Sequence, residues 1–239
     1  MGALRFLATV IFILSIPVAL LTTNIRFVAN EPRVYRYAID EYGAVATTGI
    51  AREELIEAGA GLRAYFNNGD KEPNIRVQKG DQEVNLFGAR EIAHLVDVKD
   101  RFRLVNRIQE FSILYVIGYI AAVVLWAREV TPRRLAVNVI IGSLLTLGVV
   151  GAAGAMGASG FDSAWTDFHE VLFSNDLWRL NPDTDRLIQI YPPAFWENIV
   201  FFIGLLVVAE AAALVIASAL YLGASRHAES RRLEPSYAA

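Results

Sequence analysis

The residues able to do chemistry are few. The chain has three histidines and no cysteine. Without cysteine there are no disulfides, thiolate nucleophiles or thiolate metal sites. His94 lies in Glu91-Ile92-Ala93-His94-Leu95-Val96-Asp97. On a helix Glu91, His94 and Asp97 share one face. A carboxylate there can orient the ring, fix its tautomer and raise its pKa. His169 lies in Asp167-Phe168-His169-Glu170, one turn after Trp165. A lone histidine is often only a surface residue, but two of them able to reach one site make a general acid/base pair. His227 sits in a basic tail and reads as a bystander.

Other motifs fail on spacing. Gly157-Ala158-Ser159-Gly160-Phe161 lacks the final glycine of a nucleophile elbow. His169-Glu170-Val171-Leu172-Phe173 is one residue short of a zincin helix. Asp183-Thr184-Asp185 is too short for a calcium loop. Two histidines with carboxylates are a minimal zinc set, yet no metal and no cofactor is expected. Glu210 interrupts an apolar run, and an intramembrane acid is a functional candidate by default. Its plainer role is a hydrogen bond to Thr146 or Ser143 that holds two spans together.

The elements that must position these residues follow from hydropathy. The 239 residues are 54% hydrophobic and 20% charged, which fits a chain part in lipid and part in water. A net charge of −3 gives no basic footprint for nucleic acid. Apolar runs at Leu4–Thr23, Phe111–Ala127, Leu135–Ala155 and Ile199–Leu222 match the roughly 17–25 residues that cross a bilayer as helix. The expected fold is an all-α transmembrane four-helix bundle with a small α+β extracytoplasmic cap. The divisions are 1–23 (first span), 24–110 (cap), 111–127 (second span), 128–134 (turn), 135–155 (third span), 156–198 (aromatic, acidic loop), 199–222 (fourth span) and 223–239 (tail). The first run resembles a signal peptide, but no clean small-x-small site follows it, so an uncleaved anchor is expected.

Arg128, Arg133 and Arg134 crowd the short turn, and Arg226, Arg231 and Arg232 the tail. The positive-inside rule places both in the cytoplasm of a multi-pass membrane protein, with the cap and loop outside.

Within the cap, Val34–Tyr42 and Arg52–Phe66 read as helices, the second weakened by Gly59 and Gly61. Asn67-Asn68-Gly69-Asp70 stops it. Ile75–Gln78 and Glu83–Phe87 flank Lys79-Gly80-Asp81 as a hairpin. A last helix begins near Gly88 and runs toward the second span. In the loop, Phe161–Phe173 has the spacing of an amphipathic interfacial helix. Pro192-Pro193 ends any helix before the fourth span. Three of the four tryptophans fall in this loop, more than a headgroup belt interleaved with so many polar residues requires.

Two dense motifs carry a resemblance. Glu91-x-x-His94-x-x-Asp97-Val98-Lys99, followed by Phe168-His169 and then Phe173-x-Asn175-Asp176-x-Trp178-x-Leu180-x-Pro182-x-Thr184-Asp185, resembles the bacterial lipoprotein intramolecular transacylase (Lit) family. Leu95 stands where that family often has Met. The resemblance implies an acyltransferase of the bacterial cell envelope. It would move the sn-2 acyl chain of a diacylglyceryl-Cys lipoprotein to the N-terminal amine, leaving a lyso-form lipoprotein. It maps the catalytic pair onto His94 and His169. Partners would be the diacylated lipoprotein and outer-leaflet lipid, with no nucleic acid and no obligate protein partner.

The residues agree with what such chemistry needs. An O-to-N shift within one molecule requires no enzyme nucleophile, so the missing cysteine is no obstacle. An α-amine of pKa ~7.7–8.0 must lose a proton to attack, and the leaving alkoxide must gain one. A rigid chamber of Trp165, Phe168, Phe173, Trp178, Tyr191 and Trp196 would hold the two ends together. Glu91 and Asp97 would orient a histidine, and Asn175, Asp176 or Arg179 could do so or bind the oxyanion. Two other readings stand beside this one. A non-enzymatic lipid- or lipoprotein-binding module would use the same aromatic loop. A transporter centred on Glu210 is disfavoured by the lack of repeats or broken spans.

Overall fold

A computed structural model describes residues 2–80, 82–125, 132–158 and 160–233, with backbone alone at 79 and 228–233. Several sequence expectations fall outside those residues. They are the Asp81 half of the hairpin turn, the end of the second apolar run (126–127), most of the short turn (128–131), Ser159, and the last residues of the tail (234–239).

The chain is mostly helical. It has four helices long and apolar enough to cross a membrane: α1 (Gly2–Asn30), α5 (Ala89–Leu125), α6 (Pro132–Ala158) and α9 (Pro193–Leu233). All four overrun the apolar runs that mark them. In α5 the residues from Arg90 to Glu110 include nine charges, too many for hydrocarbon. Its crossing stretch therefore begins near Phe111, and His94 lies outside it.

The remaining elements are short. They are α2 (Pro32–Glu41), α3 (Ala44–Thr48), α4 (Arg52–Asn67), α7 (Phe161–Leu172), α8 (Arg186–Ile190) and a two-stranded antiparallel sheet. Strands β1 (Arg76–Lys79) and β2 (Gln82–Asn85) pair Val77 with Val84. Gly80 at φ 64° supplies the left-handed residue this tight turn requires. Pro32 begins α2 because its missing N–H costs nothing in a first turn.

Two compact units divide the chain. The first takes in residues 1–23, 107–153 and 204–239. In it Phe12, fully buried, stacks on Tyr119 at 4.3 Å, and the Tyr115 hydroxyl donates to Ala8 O at 2.9 Å. Pro17 inside α1 cannot donate to Ile13 O. Gly142 of α6 packs against that carbonyl: a Cβ there would sit 3.0 Å from Ile13 O and 2.6 Å from Ile16 Cδ1. The expected bond from Glu210 to Ser143 is not made. The buried Ser143 hydroxyl has no hydrogen-bond partner, and Thr146 donates to Gly142 O of its own helix at 2.9 Å.

The second unit takes in 24–106 and 154–203 and holds both motif histidines. The glycines of α4 have a packing reason. A Cβ on Gly59 would lie 3.2 Å from Tyr35 Cβ, and one on Gly61 3.5 Å from Ile75. They thin the helix where α2 and the segment before β1 press on it. Lys99, 1% exposed, is held by Asn68 Oδ1 at 2.9 Å, Asp70 O at 2.7 Å and the Tyr65 ring at 3.8 Å. The stop signal after α4 is thus tied to α5 one turn beyond His94.

Candidate active site

His94 and His169 come together. Their ring centroids are 6.3 Å apart, with planes tilted by 35°. That is too far for a direct hydrogen bond and near enough for one small reacting group to touch both. They are 7% and 8% exposed. Each owes its position to a different helix: His94 to the second turn of α5, His169 to the last turn of α7.

Helical geometry sets the tautomer of His169. Its Nδ1 lies 2.7 Å from Trp165 O, four residues back. A carbonyl can only accept, so Nδ1 carries the proton and Nε2 keeps its lone pair. Around the ring, Trp178 stacks at 4.8 Å and Trp165 meets it edge-on at 4.7 Å. Phe168 and Phe173 close in at 5.4 and 5.8 Å. Phe173 also meets His94 at 5.3 Å, so it bridges the pair. Trp196 stacks on Trp165 at 5.5 Å. Tyr191 lies one step further out, 6.5 Å from Trp196 and edge-on to Tyr35 at 6.2 Å. It belongs to the wall behind the chamber, and burial pushes its phenol well up.

The environment keeps both imidazoles neutral. Burial lowers His94 from 6.5 to about 4, and the nearby His169 adds to that; the charge of Asp97 opposes it without prevailing. Burial also lowers His169, partly offset by its bond to Trp165. The expectation that a carboxylate raises the His94 pKa is therefore reversed: removal from water outweighs one partly solvated charge.

The supporting residues do other work than expected. Glu91, 3% exposed, does not turn His94. Its carboxylate accepts from Gly88 N at 2.7 Å and from Leu187 N at 2.6 Å. It caps the start of α5 and fastens it to the start of α8. His94 Nδ1 is buried with no hydrogen-bond partner. Asp97 accepts from Asn175 Nδ2 at 2.8 Å, and Asn175 Oδ1 accepts from Leu177 N. Arg179 reaches Asp176 at 3.0 Å and Glu170 at 2.8 Å, and lies 4.2 Å over the Trp178 ring. Its guanidinium is thus engaged by two carboxylates and the Trp178 ring. Arg90, which the sequence did not single out, donates to Asp176 O and Leu177 O and ties this loop to α5. Its only sequence signal is its place beside Glu91. Among the described residues no group of three metal-ligating side chains converges.

Four helices long and apolar enough to cross a membrane, with a buried histidine pair walled by aromatic rings outside the apolar stretches, define a multi-pass membrane protein with a candidate site at that pair. Comparison with known proteins gives the family. The chain belongs to the lipoprotein intramolecular transacylase (Lit) family, whose model matches residues 10–196. Membership implies an acyltransferase-type enzyme that acts on lipoprotein. An uncharacterized protein of Aquifex aeolicus is 28% identical over 164 residues, covering 66% of this chain and 68% of its own. The in meso structure of Lit from Bacillus cereus is 20% identical, with a TM-score of 0.78 over 95% of this chain and 99% of that one. A variant of the same protein with a histidine changed to alanine gives 19%, 0.74, 95% and 96%. These likenesses establish a Lit-like membrane fold.

Proposed function

We propose that the protein moves the sn-2 acyl chain of a diacylglyceryl-Cys lipoprotein to the α-amine of the same cysteine, at the outer face of the bacterial cytoplasmic membrane. The observation that carries this reading is the pair of buried, neutral imidazoles 6.3 Å apart within one aromatic enclosure.

The amine attacks the ester carbonyl, and the carbonyl oxygen becomes an oxyanion. His169 Nε2, its lone pair kept free by the Nδ1–H bond to Trp165 O, takes a proton from the attacking nitrogen. The oxyanion then re-forms the carbonyl, and the bond between the acyl carbon and the glyceryl oxygen breaks. His169 returns the proton to the departing oxygen, which leaves as a free hydroxyl beside the new amide. One imidazole serves both transfers and ends as it began, as in acyl transfer by Ser-His enzymes. His94, held neutral by burial, donates a ring N–H to the oxyanion. The rings of Trp165, Phe173 and Trp178 exclude water, which would otherwise compete for the acyl group.

A crossover experiment tests the reading. Two lipopeptides, one heavy in both acyl chain and peptide and one light in both, are mixed with purified protein, and the products are weighed. Only heavy–heavy and light–light N-acyl lyso products are expected. Absence of N-acylation, with binding retained, would leave the lipid-binding module as the function.

A further inference from the structure

Arg101 lies on the same face of α5 as His94. It follows by two helical turns, about 10 Å further along the axis toward the crossing stretch. Its guanidinium carbon is 5.8 Å from the centroid of Phe173, the ring that bridges His94 and His169. The side chain is exposed. Other arginines nearby are engaged: Arg103 by Asp100 at 3.4 Å, Arg179 by Glu170 and Asp176, and Arg90 by two loop carbonyls. Asp97, between His94 and Arg101, accepts from Asn175 at 2.8 Å. Among the described residues Arg101 makes no hydrogen bond and no ion pair, only the ring contact. Its guanidinium donors therefore stand open beside the aromatic enclosure.

We propose that Arg101 positions the lipoprotein by donating to the carbonyl oxygen of its sn-1 ester, the ester that is not transferred. The proposal rests on the acyl-transfer reading above. A guanidinium only donates, so its ligand must accept. The α-amine of the substrate is a donor, and a cation until it loses its proton, so like charge keeps it from this end. The sn-2 carbonyl is engaged by the histidine pair. Both acyl chains must reach hydrocarbon, and Arg101 stands on α5 between His94 and the crossing stretch. The peptide leads the other way, into water. The sn-1 ester sits on the adjacent glyceryl carbon and is the acceptor that passes the guanidinium. One bond there decides which of two neighbouring esters faces the amine, a choice that a flexible glyceryl group does not make by itself.

Equilibrium binding separates this contact from the chemistry. Two lipopeptides with an N-acetylated cysteine, whose nitrogen does not attack, are titrated into the full-length protein in a neutral detergent, and tryptophan fluorescence reads Kd. One carries esters at sn-1 and sn-2. The other carries an ether at sn-1, and so has no carbonyl there. A charge-assisted hydrogen bond partly open to water is worth roughly tenfold. The wild-type protein should bind the diester about tenfold tighter than the ether. Arg101→Met should lose that tenfold on the diester and nothing on the ether. With free-amine diester the loss should fall on KM and not on kcat. Equal affinity of the wild type for the two lipopeptides overturns the proposal, whatever the variant does. So does an equal loss on both in Arg101→Met, which would assign the guanidinium to a peptide carbonyl or a lipid phosphate. If the wild type turns over no free-amine lipopeptide while this binding pattern holds, the acyl-transfer reading fails and the sn-1 contact stands.

Discussion

Replacing Glu91 separates two accounts of the site. If its carboxylate turned His94, Glu91→Ala would cost activity and little stability. The structure instead gives both oxygens to backbone amides, Gly88 N at 2.7 Å and Leu187 N at 2.6 Å. Removing the carboxylate orphans two donors. Each unsatisfied buried donor costs about 1–3 kcal/mol. Gly88 is exposed and recovers a water, so its share falls at the low end. Glu91→Ala should therefore destabilise by about 2–4 kcal/mol. Glu91→Gln keeps one acceptor and should cost about half as much. Thermal unfolding in detergent reads the loss, and amide hydrogen exchange locates it, with Leu187 exchanging faster in the variant. An unchanged Tm together with unchanged protection at Leu187 would refute this reasoning.

Three further outcomes follow from the geometry. His94 should titrate near 4 by imidazole NMR, and His169 below 6.5. Because the folded His94 pKa lies below the unfolded value, the folded state binds fewer protons between them, and stability is lost as pH is lowered through that window. A contribution of about 3 kcal/mol is whole above pH 6.5 and gone near pH 4; a His94 midpoint at or above 6.5 would contradict it. Gly142→Ala drives a methyl to 2.6 Å from Ile16 Cδ1, and overpacking of this kind should cost about 1–3 kcal/mol in unfolding measurements. Lys99→Met removes the donor to Asn68 and Asp70. It should loosen the turn after α4, seen as faster amide exchange at 68–70, with a loss of about 2–4 kcal/mol.

The membrane helices were legible because their signal is local: a run of apolar residues long enough to cross a bilayer. So was the turn of α7 that lets His169 reach back to Trp165, since a ring nitrogen and the carbonyl four residues earlier are neighbours on any helix. The work of Glu91 was not legible. Its second partner is a backbone N–H 96 residues away, and a backbone amide has no signature in sequence. The short α3 and α8 have five residues each, below one period of a useful apolar pattern. Gly59 and Gly61 argued against α4 on propensity, yet they serve it, because the approach of Tyr35 and Ile75 is a tertiary demand. The direction of the His94 pKa was missed for a related reason. The helix spacing shows Asp97, whereas the burial that outweighs it comes from distant segments.

The most direct measurement of the central claim compares four variants in single-turnover acyl transfer on a defined diacyl lipopeptide: His169→Ala, His169→Gln, His94→Ala and His94→Gln. General acid/base catalysis is worth roughly 10²–10⁴-fold, and an amide cannot replace it. Both His169 variants should therefore lose that much. An oxyanion donor is worth roughly 10²–10³-fold, and Gln keeps an N–H donor. His94→Ala should then fall by that factor, while His94→Gln recovers part of it. Near-normal turnover in either alanine variant would contradict the account, as would equal loss in His94→Ala and His94→Gln.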